Sequence, residues 1–164
     1  KELAMHRIFS FLMVLMLFSF TAHAAQVAKH LPGDLTLAEA MTVVNAALKK
    51  SQEQGVPMNI AVVDAGGHLK IFSREDGAFL GSIDIAQKKA LTARYFNMST
   101  ADLGSASQPG KELYGIEVTN GGLVIFGGGE LLIRNGLIVG AIGVSGGSVA
   151  EDTVVAKAGA AALK

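Results

Sequence analysis

The side chains that could do chemistry in this sequence cluster in two places. Arg74 and Asp76 stand two residues apart, and Lys88, Lys89 and Thr92 follow at helical spacing. Lys89 and Thr92 share a helix face with Ile85. A lysine on the mostly apolar side of a helix costs free energy unless it is paired or faces a pocket. Two readings follow: a surface Arg74–Asp76 ion pair with solvated lysines, and a pocket in which Arg74, Lys89 and Thr92 accept an anion. The second place is the glycine-dense stretch 120–152, NGGLVIFGGGELLIRNGLIVGAIGVSGGSVAED. If it walls the same pocket, the candidate ligand-binding residues are Arg74, Asp76, Lys89, Thr92, Gly127, Gly128, Gly129 and Gly146.

The glycines fail the phosphate-loop tests. A P-loop needs G-x-x-x-x-G-K-[ST], but Gly110-Lys111 is followed by Glu112. Neither Gly127-Gly128-Gly129 nor Gly140-x-x-Gly143-x-x-Gly146 has dinucleotide spacing. Gly146-Gly147 leads into a capped helix whose first amides could face an anion, yet Glu151 and Asp152 in its first turn would repel a phosphate. Turns and close helix–sheet packing are the alternative role for these glycines. There is no Cys, and His30 and His68 lie far apart, which disfavours a structural zinc site. As axial haem ligands, His30, His68, Met58, Met98, Tyr95 and Tyr114 are all open, and spacing selects none of them. Gly143-Val144-Ser145-Gly146-Gly147 lacks the frame of a nucleophile elbow, and no catalytic residue is assigned.

Positioning these residues requires a mixed α/β fold. Thr36-Leu37-Ala38-Glu39 is a capping box opening a helix over 36–54, with Leu37, Met41, Val44 and Leu48 on its apolar face and Gly55 ending it. A strand at 58–64 turns through Ala65-Gly66-Gly67-His68 into a partner at 69–73. A second long helix covers 79–96, its alanines suited to close packing on a sheet. A short helix follows from Ser99 or Thr100 to Gly104, then a loop at 105–114. Strands are expected at 123–126, 130–134 and 137–145, the last two joined by Asn135-Gly136, a strong hairpin signal. The strand 137–145 is small or apolar on both faces and belongs in mid-sheet. Ser148-Val149-Ala150-Glu151 caps a helix running to about 163. Hairpin-joined strands between helices indicate a mainly antiparallel sheet rather than a doubly wound parallel one.

The chain has 164 residues, half of them hydrophobic, enough for one domain with a packed core. Its formal net charge of zero argues against nucleic-acid binding by bulk electrostatics. His6-Arg7, the apolar run 8–20 and Ala22-His23-Ala24 read as a secretory signal, residues 1–24, cleaved before Ala25. The run is too short to span a bilayer comfortably, and no cysteine is available for a lipid anchor. A flexible lead-in, 25–34, and one domain, 35–164, would remain, periplasmic or secreted and without a stable membrane anchor.

Three passages taken together resemble a known family. VVDAGGHLKIFSREDGA (62–78), AQKKALTA (86–93) and FGGGELLIRNGLIVGAIGVSGGSVAEDTVVAKAGAAAL (126–163) are similar to the GlcG/HbpS haem-binding, haem-degrading family, which includes the C-terminal domain of PduO-type proteins. The resemblance covers nearly the whole expected mature chain. It implies a profilin-like fold, a five-stranded antiparallel sheet between helices. It also implies haem as cofactor, haem degradation in some members, and homo-oligomers, octamers in the secreted branch. Other members accompany glycolate or propanediol genes, which leaves a small organic acid as the alternative ligand, and a purely structural oligomer as a third reading. Many relatives carry F-P-G-G-x-P where this chain has Phe126-Gly127-Gly128-Gly129-Glu130-Leu131, so that loop has neither proline and gains a carboxyl group. The resemblance assigns no haem ligand to any residue here.

Overall fold

A computed structural model describes residues 33–164. The expected signal and most of the lead-in lie outside the described residues. The elements run α1 (Leu37–Gln54), β1 (Asn59–Asp64), β2 (Leu69–Arg74), α2 (Ser82–Phe96), α3 (Thr100–Ala106), a 3-10 turn (Ile116–Val118), β3 (Gly129–Arg134), β4 (Leu137–Ser145) and α4 (Val149–Ala161). The strands form one antiparallel sheet in the order β2-β1-β4-β3. The fold is mixed α/β, with hairpins β1–β2 and β3–β4 joined through their inner strands. None of its described helices is long and apolar enough to cross a membrane.

Both capping boxes form. The Thr36 hydroxyl accepts from Glu39 N while the Glu39 carboxylate returns to Thr36 N, and Ser148 and Glu151 repeat the arrangement at α4. Gly55 ends α1 in the left-handed conformation. Asn135 and Gly136 both take positive φ, as a two-residue hairpin between right-twisted strands demands. The central position of β4 is also as expected: it pairs with β1 on one side and β3 on the other.

Helices cover both faces of the sheet. On one face, Ile60, Val62, Leu132, Ile142 and Val144 pack against Val43 and Ala47 of α1 and Val155 and Ala156 of α4. On the other, Ala61, Val63 and Ala141 meet Ala86, Ala90 and Ala93 of α2. The alanine stripe lets the α2 backbone settle onto β4 at Gly143, where a Cβ would stand 2.0 Å from Ala86 O and 2.4 Å from Ala90 N.

Three expectations change. The described sheet has four strands, not five. Residues 123–126 have no ladder partner: Leu123 N donates to Glu117 O of the 3-10 turn and Val124 N to the Thr92 hydroxyl of α2, so the segment is tied to those elements instead of joining an edge. Val44 and Leu48 face the core as expected, but Leu37 and Met41 are exposed, and Ala40, Val43 and Ala47 complete the apolar face of α1. Small residues win because α1 packs closely on α4, where a Cβ at Gly159 would lie 3.1 Å from Val43 O. Finally, α2 begins at Ser82 rather than 79, because turn bonds from Ser82 N to Phe79 O and from Ile83 N to Leu80 O precede it.

Candidate functional site

Lys89 is 0% exposed. Its ammonium donates to Asp152 Oδ2 at 2.7 Å and to Val144 O at 2.8 Å, and lies 4.9 Å from the centre of the Phe126 ring. The other carboxylate oxygen, Asp152 Oδ1, accepts from Gly146 N at 3.1 Å and Gly147 N at 3.0 Å. The amides of Gly146 and Gly147, just ahead of α4, are thus taken by the chain's own carboxylate. Burial pushes the Lys89 ammonium below its ordinary pKa, opposed by the hydrogen bond and charge of Asp152. A buried pair holds only when its remaining hydrogen-bonding capacity is met, and here Val144 O and two backbone amides meet it.

The loop 127–129 closes over this pair. Gly128 has φ +110°, a conformation open to glycine, and a Cβ there would lie 2.7 Å from both Lys89 Nζ and Val144 O. Val144 N donates to Gly128 O at 2.8 Å, and Gly129 N to the Thr100 hydroxyl at 2.9 Å. A Cβ at Gly127 would meet Thr153 Oγ1 at 2.5 Å. Thr92 is also buried, holding Val124 N at 3.1 Å. At the end of the loop Glu130 is half-buried. Burial raises its carboxyl above the ordinary value, Lys157 opposes this and Asp102 adds to it.

The candidate residues therefore separate. Lys89, Gly127, Gly128, Gly129 and Gly146 gather around Asp152, while Thr92 is buried one turn further along α2, bonded to Val124 N. Arg74 and Asp76 instead line an open cleft of about 580 Å3 with Ser51, Gln52, Val56, Pro57 and Glu75. One pocket holding Arg74, Lys89 and Thr92 together does not form, because β4 and α4 supply Lys89 with a partner first. Neither Arg74 nor Asp76 joins an ion pair among the described residues; Arg74 donates only to Ala78 O, at 3.4 Å. Glu75 braces the cleft floor through the Ser51 hydroxyl and Met58 N. The expected Arg74–Asp76 ion pair is absent too, so the guanidinium is available to a carboxylate.

Asp152 is the residue that sequence reasoning misplaced. A lysine predicted on an apolar face needs a counter-charge, and an acid just inside a capped helix was the available signal. Of the axial-ligand candidates among the described residues, Met58 is in the core and Met98 half-buried, whereas His68, Tyr95 and Tyr114 are exposed, and none lines the cleft. His30 lies outside the described residues. No group of three or more His, Cys, Asp or Glu among the described residues is placed to hold a metal ion.

The chain is 44% identical over 124 residues to a 15.0 kDa protein from the dhaT-dhaS intergenic region of Citrobacter freundii, covering 75% of this chain and 87% of that one. Protein ORFY of Klebsiella pneumoniae has a similar structure (TM-score 0.77, 38% identity, 84% of this chain and 97% of that one). A PduOC:haem complex also superposes at TM-score 0.77, with 37% identity over 80% of this chain and 96% of that one. Against the 42%-identical corrinoid adenosyltransferase PduO of Citrobacter freundii, the match spans only 39% of the relative's length. A family model described as haem degrading protein HbpS-like matches residues 35–161, and the chain belongs to that family.

Proposed function

We propose that this protein binds haem. The observation that carries the reading is the likeness, across four-fifths of the chain, to a structure of PduOC in complex with haem, within a family described as haem degrading. Haem would supply redox-active iron in a flat apolar ring; the chain must supply an apolar wall and a donor atom. The buried network around Lys89 offers neither, since its ammonium is already satisfied. Exposed aromatic and aliphatic side chains, including Phe79, Leu80, Tyr95 and Tyr114, offer wall surface. Titrating haemin into the protein is expected to give a saturable Soret shift, and no shift at stoichiometric protein would sink the reading. Haem degradation extends the proposal; it is measured as loss of the Soret band under ascorbate with release of chelatable iron.

Export and self-association belong to the same proposal. The signal-like residues 1–24 support export, checked by N-terminal sequencing of protein recovered outside the cytoplasm. The exposed large apolar side chains support a homo-oligomer, and a monomer at micromolar concentration in light scattering would refute it.

The cleft favours a second reading, a small organic acid held by Arg74. Its guanidinium is unpaired and its volume suits a small molecule. A thermal-shift screen of carboxylic acids beside haemin separates the readings, because a ligand that binds the folded state raises the melting temperature.

A further inference from the structure

The cleft at the end of β2 carries more negative charge than positive. Its charged lining residues are Arg74, Glu75 and Asp76, one cation against two carboxylates. A plain carboxylate ligand would satisfy Arg74 but add a third negative charge, and like charges at short range repel. A ligand that brings its own ammonium group avoids that repulsion.

The backbone holds these charges apart. Arg74 is the last residue of β2, opposite Asn59 of β1. Glu75 N donates to Met58 O at 3.0 Å, and the Glu75 carboxylate accepts from Met58 N at 2.9 Å and from the Ser51 hydroxyl. Ala78 N donates to Glu75 O at 3.1 Å, which closes a turn over Asp76 and Gly77. Gly77 has φ +86°, and a Cβ there would lie 3.8 Å from Pro57 Cγ, so the turn rests on the segment that follows α1. Glu75 is therefore fastened to the wall. Arg74 and Asp76, on either side of it, are exposed and join no ion pair among the described residues. Two opposite charges kept apart by a braced turn are preorganised for a dipolar ligand. Val56 and Pro57 add apolar surface for its carbon chain.

We infer that this cleft binds a small zwitterion, an amino acid or another acid that also bears an ammonium group, with the carboxylate on Arg74 and the ammonium on Asp76. The guanidinium fork suits a carboxylate, and the ammonium donates to the Asp76 carboxylate oxygens. The inference deepens the organic-acid reading of the cleft and rests on it; it needs nothing from the haem-binding reading.

The test is calorimetric titration of the full chain with ligands matched in carbon skeleton: glycine beside acetate, and 4-aminobutyrate beside butyrate. Each amino acid should bind about three- to fivefold more tightly than its partner, the gain that a solvent-exposed ion pair supplies. Asp76→Asn should erase that preference and still bind the acids, whereas Arg74→Gln should weaken binding of all four. Both side chains are exposed, so the unliganded variants should melt with wild type. Asp84→Asn removes a carboxylate on α2 outside the cleft and should keep the preference. Loss of the preference in Asp84→Asn would assign it to overall charge and overturn the inference. Equal affinity for acids and amino acids in wild type, or a preference that survives in Asp76→Asn, would also overturn it while the organic-acid reading stands. Wild type that binds none of the four would overturn both.

Discussion

Lys89 meets its carboxylate 63 residues further along the chain, under a loop of glycines. Removing one member of such a pair leaves a buried charge without a counter-charge, which typically costs about 3–5 kcal/mol. Lys89→Met is therefore expected to lower unfolding free energy in urea by about that amount. Replacing both partners, Lys89→Met with Asp152→Leu, should recover part of the loss; a double variant no more stable than Lys89→Met would contradict the ion-pair account. Gly143 is the second residue whose identity is forced. A Cβ there would overlap the α2 backbone, which cannot yield as a side-chain tip can. Gly143→Ala should cost about 1–3 kcal/mol or more by overpacking, read as a lowered denaturation midpoint. Gly136→Ala, with open space around its Cβ and φ +76°, should show backbone strain alone.

Between elements, the start of α1 is tied to the β3–β4 hairpin by one ion pair. Arg134 donates to Glu39 Oε1 while Glu39 Oε2 completes the capping box. Arg134 is the main reason the Glu39 carboxyl titrates at about 2 instead of its ordinary 4.5. A lowered folded-state pKa stabilises the fold fully above the unfolded value and loses that contribution as pH falls through the folded one. The loss should fall between pH 4.5 and about 2. Water reaches about a quarter of each side chain, so the pair is worth roughly 0.5–1 kcal/mol. Acid titration of thermal stability should be shallower in Arg134→Ala than in wild type over that window, and parallel curves would refute the link. At the other helix, Ser148→Ala removes the hydroxyl that accepts from Glu151 N and should cost about 1 kcal/mol.

For the whole molecule, haem binding predicts a ligand-dependent stability. With free haemin at a hundred times its dissociation constant, stabilisation should reach about 2.7 kcal/mol, and calorimetry across a concentration series should show the melting temperature rising with it. The helices, the hairpins and the central strand β4 were readable from Thr36, Ser148, Gly55 and Asn135-Gly136, because caps and tight turns are local chemistry. The family was readable because several motifs recur in order. The segment 123–126 was misread as a strand because its apolar run says only that it is covered, not by what. The pocket built around Arg74, Lys89 and Thr92 was misread for a related reason: adjacency along one helix does not show which side chains already have partners.

The sequence by itself determined where the capped helices start, where the Asn135-Gly136 hairpin turns, the antiparallel class of the sheet and the need for small residues in the glycine-dense stretch. These follow from backbone conformation and local hydrogen bonding, which act within a few residues. Only the tertiary structure decided what those glycines serve. Gly143 admits the α2 backbone, Gly128 closes over an ammonium, and Gly146 and Gly147 hand their amides to Asp152. It also decided that Lys89 is spent on the core whereas Arg74 and His68 remain accessible. Each outcome depends on which distant groups reach a charge first, and a buried charge takes whichever partner the packing brings within hydrogen-bonding distance.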